Sequence, residues 1–345
     1  MKKRELCLIF GGNSREYDVS LMSAECVLKY IDREKYIITL LGITRDGKWY
    51  IYYGDEKKIG SKDWEKDERK YPLAFSPNTK ELLYGDSFEN RLRPDSVLPM
   101  VHGNFGEDGR IQGLFDIMGI DCRGVGVEGA AITFNKHIAK LIAREMSVPV
   151  ADFYILRRNE DISLSYIFKA AEKLSYPLFV KADASGSSVG VYRVKSRDEL
   201  LYRVNDAFAH SSVVLLEKEI KGIEVEIGII EKNGEIHLGK IGQISHGGEF
   251  YGYIEKYKNG DSVCIIPAKI PEKCEKIIRE YARRLFVGTL CRGFCRMDFF
   301  VTDDGEVIFN EINAIPGFTS GSMFPMLMQE SERGIAGVID GMLSL

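Results

Sequence analysis

Paired cysteines, long apolar runs and an excess of positive charge are all missing from this 345-residue sequence. The seven cysteines (Cys7, Cys26, Cys122, Cys264, Cys274, Cys291 and Cys295) are odd in number and form no C-x-x-C pair. Several sit inside apolar segments, so reduced thiols and a cytoplasmic location are expected. Cys291 and Cys295 resemble half of a zinc site, but the five histidines offer no partner spacing. No apolar run approaches the roughly 20 residues of a membrane span, so no membrane partner is expected. The N-terminus MKKRELCLIFGG runs straight into a strand and a Gly turn, without the apolar core and cleavage site of a signal peptide. A net charge of −4 provides no basic field for nucleic acid, so any bound anion must be held by local groups. There is no internal repeat or low-complexity tract. What is present is ordinary for a soluble globular chain: 45% hydrophobic and 28% charged residues, with length for two or three domains.

The opening Leu6–Phe10 run reads as a buried strand, followed by Gly11-Gly12 and a helix from about Ser20, which serves as its predicted N-cap. Ile37–Ile43 reads as a second strand of the same α/β layer. Between about Gly54 and Pro94 the chain is polar, including Trp64–Lys70, and is expected to be surface elaboration. A strand over Val97–Val101 leads into the Gly-rich loop His102–Gly109 and then a helix. Ala130–Met146 reads as one amphipathic helix with Lys136 and Lys140 on one face. From about Arg123 short strands mix with helices in an α+β pattern.

Near the C-terminus, Arg296–Asn313 reads as a hairpin about an Asp304-Gly305 turn. A two-residue turn places Asp303 opposite Glu306, Thr302 opposite Val307, Asp298 opposite Glu311 and Arg296 opposite Asn313. Strand alternation then puts Arg296, Asp298, Glu311 and Asn313 on one face. Opposed carboxylates destabilise a sheet unless neutralised, and a hard divalent cation with phosphate oxygens suits this set. The plainer alternative is a solvated hairpin with Asp298 bonded to Arg296. The surrounding Phe299, Phe300, Val307, Ile308 and Phe309 mark a core hairpin instead, which favours the metal–phosphate reading.

Two nucleotide fingerprints fail on context. Gly124–Gly129 fits G-x-G-x-x-G, but what precedes it is too short and polar for a central strand. Gly234–Lys240 mimics a P-loop, yet Ile241 stands where Ser or Thr should be, and the middle reads as strand. Lys181–Gly190 differs: a lysine at a strand end leads into a small-residue turn whose N–H groups suit phosphates. In isolation an ordinary hairpin explains it equally well; beside Lys136 and the acidic hairpin, the phosphate reading prevails. Glu217–Ile220 and Glu224 lie at a strand exit that suits a nucleoside, and His246–Tyr257 is a Gly- and aromatic-rich loop that suits a lid.

Together these residues resemble the ATP-grasp superfamily and, within it, the D-alanine:D-alanine ligases. The resemblance spans nearly the whole chain. Its motifs are Gly11–Glu16 with Val19-Ser20-Leu21, His102-Gly103 with Gly106–Gly109 and Ile111-Gln112-Gly113, Gly186–Gly190, and Asn310–Asn313 with Pro316–Thr319. It implies an α/β N-terminal domain followed by an α+β ATP-grasp fold of two subdomains, over 1–122, 123–211 and 212–345. By similarity Lys136, Lys181 and Ser188 contact ATP phosphates, Glu217, Lys218 and Ile220 the adenine, and Glu224 the ribose. Lys256 reaches the γ-phosphate from the lid. Asp298, Glu311 and Asn313 match the ligands of two Mg2+ ions, for which Mn2+ can substitute. Glu16 meets the ammonium of the first D-alanine, with Ser187, Tyr257 and His102 beside it, and Arg296, Gly317 and Ser322 hold the acyl phosphate and the second substrate's carboxylate. The resemblance further implies D-alanyl-D-alanine synthesis for peptidoglycan precursors by a homodimer. Tyr257 and Met323 resemble the peptide-forming, D-alanine-accepting members. The alternatives are a D-serine acceptor or, from another class, a nucleotide-binding regulator without turnover. The chain departs from the family pattern at Asn135, Ala182, Ser185, Gly252 and Asp121-Cys122-Arg123.

Overall fold

The structure, a computed structural model, describes residues 3–160, 162–245 and 263–344. The expected lid, with Lys256 and Tyr257, lies outside the described residues. The first sheet is built from β1 (Arg4–Gly11), β2 (Tyr36–Ile43), β3 (Trp49–Tyr52), β4 (Lys70–Ser76), β5 (Glu81–Tyr84), β6 (Asn90–Leu92), β7 (Ser96–Pro99) and β8 (Asp121–Cys122), in the order β6-β5-β4-β3-β2-β1-β7-β8. β1 is parallel to both β2 and β7. The loops leaving the carboxyl ends of β1 and β7 therefore lie side by side, where open α/β sheets bind ligands. Gly11, at φ +88, ends β1 where any Cβ would meet Ile43 O at 2.0 Å.

Helix α1 is Tyr17–Tyr30, longer than expected, with Glu16 at its N-cap position. Ser20 is not a cap but a buried side chain inside the helix: its Oγ accepts from Gly11 N at 2.8 Å and donates to Met100 O. Those two backbone groups needed partners, and Ser20 supplies both. Trp64 is also not surface. Gly42 leaves room for its ring, which stacks edge-on against Phe10 at 5.0 Å.

Beyond α2 (Lys57–Gly60) and α3 (Arg110–Ile117), the expected single helix over 130–146 is two, α4 (Val127–Phe134) and α5 (Lys136–Glu145), broken at Asn135. Asn135 Nδ2 donates to Ala131 O at 2.7 Å, closing α4, while the Asp183 carboxylate accepts from His137 N at 2.8 Å and so caps α5 from a distant loop. Helix ends carry unsatisfied backbone groups, and here side chains satisfy both.

The central sheet, in the order β11-β10-β12-β9, comprises β9 (Phe153–Arg157), β10 (Leu178–Ala182), β11 (Val191–Val194) and β12 (Val213–Lys218), backed by α6 (Leu164–Leu174) and α7 (Arg197–Phe208). β12 pairs with β9 and β10, so this layer runs past the boundary expected at 211. The last sheet, in the order β15-β14-β13-β16-β17, comprises β13 (Ile223–Lys232), β14 (Glu235–Ser245), β15 (Val263–Ile265), β16 (Phe294–Val301) and β17 (Val307–Asn313). α8 (Glu272–Gly288), α4 and α5 pack on it, and a core shared with the first sheet receives α9 (Met323–Glu332) and α10 (Ile335–Met342).

The β16–β17 hairpin has a three-residue loop, not the two-residue turn. Thr302 N donates to Glu306 O at 3.0 Å, and Gly305 takes φ +82. Near the loop the register is accordingly slipped by one, with Val301 opposite Val307 and Phe299 opposite Phe309. Asp303 is not opposite Glu306, nor Thr302 opposite Val307. An irregularity at Asn310 then restores the expected outer pairs: Asp298 opposite Glu311 and Arg296 opposite Asn313. The extra residue lets Phe309 turn into the core against Phe299 while Glu311, two positions on, still faces the site.

Candidate functional site

Two cavities, of about 230 Å³ and about 350 Å³, meet over the β16–β17 hairpin. Both are walled by Glu107, Gly186, Ser187, Glu311 and Asn313. The first also presents Lys136, Lys181, Ser188, Ile220 and Glu224 beside apolar Phe134, Phe179 and Val191. The second presents Glu16, His102, Arg296, Gly317, Ser322 and Met323. Apart from Glu217 and Lys218, which line neither cavity, the nucleotide-type residues and the amino-acid-type residues named from sequence thus separate into adjoining compartments.

On the shared floor, Asp298 is gripped by Arg296, whose Nε and Nη2 each donate at 2.8 Å, and by Asn313 Nδ2 at 3.0 Å. Glu226, on β13 opposite Asp298, stands 3.0 Å from Arg296 Nε. Burial raises the Asp298 pKa, Arg296 opposes this, and the neighbouring Glu311 and Glu224 carboxylates raise it further; the net direction is up. One guanidinium thus serves several crowded carboxylates. Glu311 faces Lys136, while Asp298 is buried with its oxygens taken by Arg296 and Asn313; the oxygen donors of Asp298, Glu311 and Asn313 are of the type that suits a hard divalent cation. Among the described residues no cluster of three or more acidic, His or Cys side chains is already closed up as a metal cage.

Lys136 Nζ donates to Ser185 O at 2.6 Å and lies 3.4 Å from Glu311 Oε2. Lys181 Nζ donates to Glu217 Oε1 at 2.6 Å. Glu217 turns its carboxylate into the protein, away from the cavity, and Lys218 is exposed, with its N donating to Asp152 O at 2.8 Å. The Ser187 and Ser188 backbones take φ 50 and 57, exposing the turn's N–H groups as a phosphate nest requires.

In the second cavity Glu16 sits at the α1 N-terminus, where the helix dipole favours a carboxylate. It accepts a hydrogen bond from Ser187 Oγ. Any Cβ at Gly103 or Gly186 would come within 2.6 or 2.7 Å of its Oε2, so both glycines make the cradle. His102 Nδ1 donates to Ile315 O at 2.8 Å, since a carbonyl can only accept, and in the neutral ring Nε2 accepts from Ser23 Oγ at 2.9 Å. Ser23 Oγ in turn accepts from Phe318 N at 3.1 Å. This network staples the N-terminal loops to the 315–318 segment that carries Gly317. Burial pushes the Glu107 carboxyl up to about 7, with His102, 3.8 Å away, opposing the shift. Ser322 holds the N-cap position of α9, its Oγ turned back to accept from Thr319 N at 3.0 Å, and Met323 follows it into an apolar cluster with Ile244 and Leu327.

Residues 5–125 match the model of the D-ala D-ala ligase N-terminus, and residues 142–344 that of the D-ala D-ala ligase C-terminus. The chain belongs to the D-alanine:D-alanine ligase family. Its fold is the ATP-grasp fold with an α/β N-terminal domain. This family member is 37% identical over 351 residues to the D-alanine–D-alanine ligase of Caldicellulosiruptor bescii, covering 100% of the chain and 95% of the relative. It is 38% identical over 361 residues to that of Acetivibrio thermocellus, covering 99% and 96%. Among solved structures it resembles the VanG D-Ala:D-Ser ligase from Enterococcus faecalis, with a TM-score of 0.91, 34% identity and 99% of each chain covered. It also resembles the D-alanine-D-alanine ligase from Coxiella burnetii, with a TM-score of 0.87, 28% identity, and 100% and 94% covered.

Sequence reading assigned no role to Glu226, Lys140 or Asp183. Glu226 was within reach, since it lies two residues from Glu224 on the same strand face. Lys140 shares the face of Lys136. Asp183 carried no local signal, because its partner His137 comes from a different element.

Proposed function

We infer that the chain is an ATP-dependent ligase that joins two D-alanines into D-alanyl-D-alanine, for peptidoglycan precursor synthesis. The observation that carries this reading is the meeting of a lysine-lined cavity and an amino-acid-type cavity across one carboxylate floor. ATP phosphates lie against Lys136, Lys181 and the Ser187-Ser188 turn, the adenine near Ile220, and the ribose by Glu224. Asp298, Glu311 and Asn313 would hold two Mg2+ ions, or Mn2+ in their place, which would supply neutralisation of phosphate charge during phosphoryl transfer.

The carboxylate of the first D-alanine takes the γ-phosphoryl group and ADP leaves. Glu16 holds that substrate's ammonium, and Ser187, bonded to Glu16, fixes its position. The amine of the second D-alanine then attacks the acyl phosphate. Arg296, already oriented by Asp298 and Glu226, and the Gly317 segment stabilise the oxyanion, and phosphate departs. Ser322 at the α9 N-terminus receives the second carboxylate. The lid role expected of the 246–257 segment, with Lys256 and Tyr257, falls on residues outside those described. The likeness to a D-Ala:D-Ser ligase keeps D-serine as the rival acceptor, and Met323 in its apolar setting favours D-alanine. We further propose a cytoplasmic homodimer, divided near residues 122 and 218.

Purified protein with Mg2+, ATP and D-alanine should release phosphate and yield a product with the mass of D-alanyl-D-alanine. Mixed-acceptor assays with D-serine decide the second substrate. Phosphate release without dipeptide would sink the ligase reading.

A further inference from the structure

Beneath the lysine-lined cavity, one buried carboxylate serves two ammonium groups. Phe179 on β10 is directly opposite Glu217 on β12, so Lys181, two residues along the same face, reaches Glu217 diagonally. Lys181 Nζ is 2.6 Å from Oε1 and Lys140 Nζ, from α5, is 3.2 Å from Oε2. The two lysines differ in access. Lys181 has an 11% exposed side chain and lines the cavity, whereas Lys140 is 1% exposed and Glu217 3%. Lys140 Nζ makes no well-aligned hydrogen bond, and neither does Glu217 Oε2, although they are close enough for an ion pair. Burial lowers the Lys140 pKa, Glu217 opposes it and Lys181 lowers it further, with a net downward direction.

A second buried ammonium on a carboxylate that already has a partner is costly, and an apolar side chain of the same length would fill the space more cheaply. The arrangement makes sense if Lys181 is not a permanent partner. A phosphate entering the cavity competes for Lys181, and whatever it draws away leaves Glu217 buried with an uncompensated charge unless a second cation is in place.

We propose that Lys140 is a standby counter-ion, holding the Glu217 carboxylate while the Lys181 ammonium moves onto a nucleotide phosphate. The proposal deepens the reading of the first cavity as a nucleotide site and rests on it. Lys140 touches no substrate; it is a positioning residue acting through Glu217 and Lys181. In the free enzyme Lys140→Met leaves Glu217 paired with Lys181. The free protein therefore keeps its melting temperature, while nucleotide binding now has to strip the last cation from a buried carboxylate.

The test is a double-mutant cycle over wild type, K140M, E217Q and K140M/E217Q. It reads the Kd of the β,γ-imido analogue of ATP with Mg2+ by calorimetry, the KM values for ATP and D-alanine, and the melting temperature. K140M should weaken the analogue Kd and raise the ATP KM by at least about tenfold, the scale of a stranded buried charge, with the D-alanine KM within about twofold. In the E217Q background, where no charge is stranded, the same substitution should cost less than about twofold. Equal costs in both backgrounds, or an unchanged analogue Kd in K140M, overturn the proposal. A K140M melting temperature lowered in both backgrounds together with uniform KM losses also overturns it, because that is the pattern of a packing residue. Should K140M not fold, the K140M/E217Q and E217Q pair still reads the second arm, and misfolding of K140M alone contradicts the expected free-state pairing. If wild type binds the analogue but makes no dipeptide, only the ligase reading falls; if wild type binds no nucleotide, both fall.

Discussion

Replacing Ser23 with alanine should loosen the amino-acid cavity without touching any substrate. Ser23 is fully buried on α1, and its Oγ shares a hydrogen bond with His102 Nε2 at 2.9 Å while accepting one from Phe318 N at 3.1 Å. Alanine removes both and fills almost the same space, so little cavity is created. The cost arises from two groups left buried without partners, Phe318 N–H and His102 Nε2. Each such loss costs about 1–3 kcal/mol, so the pair should cost roughly 2–6 kcal/mol where the 315–318 segment docks. The remaining His102–Ile315 hydrogen bond becomes the main tie to that segment. A looser segment misplaces Gly317 and Ser322, so the second D-alanine KM should rise by an order of magnitude or more, while the ATP KM stays put because the first cavity's own residues are unchanged. Urea unfolding and initial-rate kinetics with each substrate varied provide the readout. A stability loss below about 0.5 kcal/mol, or parallel rises in both KM values, would refute the staple.

Three further outcomes follow from the site. Glu311→Gln removes one of the floor's facing carboxylates, so dipeptide formation should fall below detection and the Mg2+ concentration required for nucleotide binding should rise; persistent turnover at ordinary Mg2+ would contradict the floor's role. At Gly103, with φ +74 and only 2.6 Å between any Cβ and Glu16 Oε2, alanine should displace Glu16 and raise the first D-alanine KM, and an unchanged value would show that the cradle is not tight. Glu107 titrates near 7 in the folded protein against an ordinary 4.5. A raised carboxyl pKa means the folded state holds its proton more tightly, so the stability it contributes is complete below about pH 4.5 and is lost as pH rises through about 7. The stability of wild type relative to Glu107→Gln should therefore decline across that window in urea titrations, and a flat difference would count against a buried, proton-retaining Glu107.

Much of the site was readable because its signals are local. His102 and Ser187 each sit in a short Gly-punctuated segment after a strand, Asn313 follows from strand alternation, Glu16 is marked only by the family motif Gly11–Glu16, and the strands mostly fall where β-branched and aromatic runs predict. The misplacements have non-local causes. Ser20 looks like a helix cap, yet it serves the backbone of Gly11 and Met100 across the sheet. Trp64 lies in a charged stretch, yet it is drawn into the core beside Phe10. The Glu217 side chain pairs with lysines from two other elements, a contact with no local signal.

By itself, the sequence determined that a core hairpin carries Arg296, Asp298, Glu311 and Asn313, which loops are rich in glycine, and which family motifs occur. These depend on strand alternation, turn sterics and composition within a few residues. Only the tertiary structure decided how the outer register survives a three-residue loop. The extra residue at Asn310 lets Phe309 enter the core and Glu311 face the site, a compromise between core packing and strand parity that no local window contains. It also decided that α4 and α5 part at Asn135, because a carboxylate from the far side of the cavity, Asp183, was available to cap the second helix. The same folding placed Lys140 under Lys181, since where a buried charge finds its counter-ion is settled by three-dimensional packing.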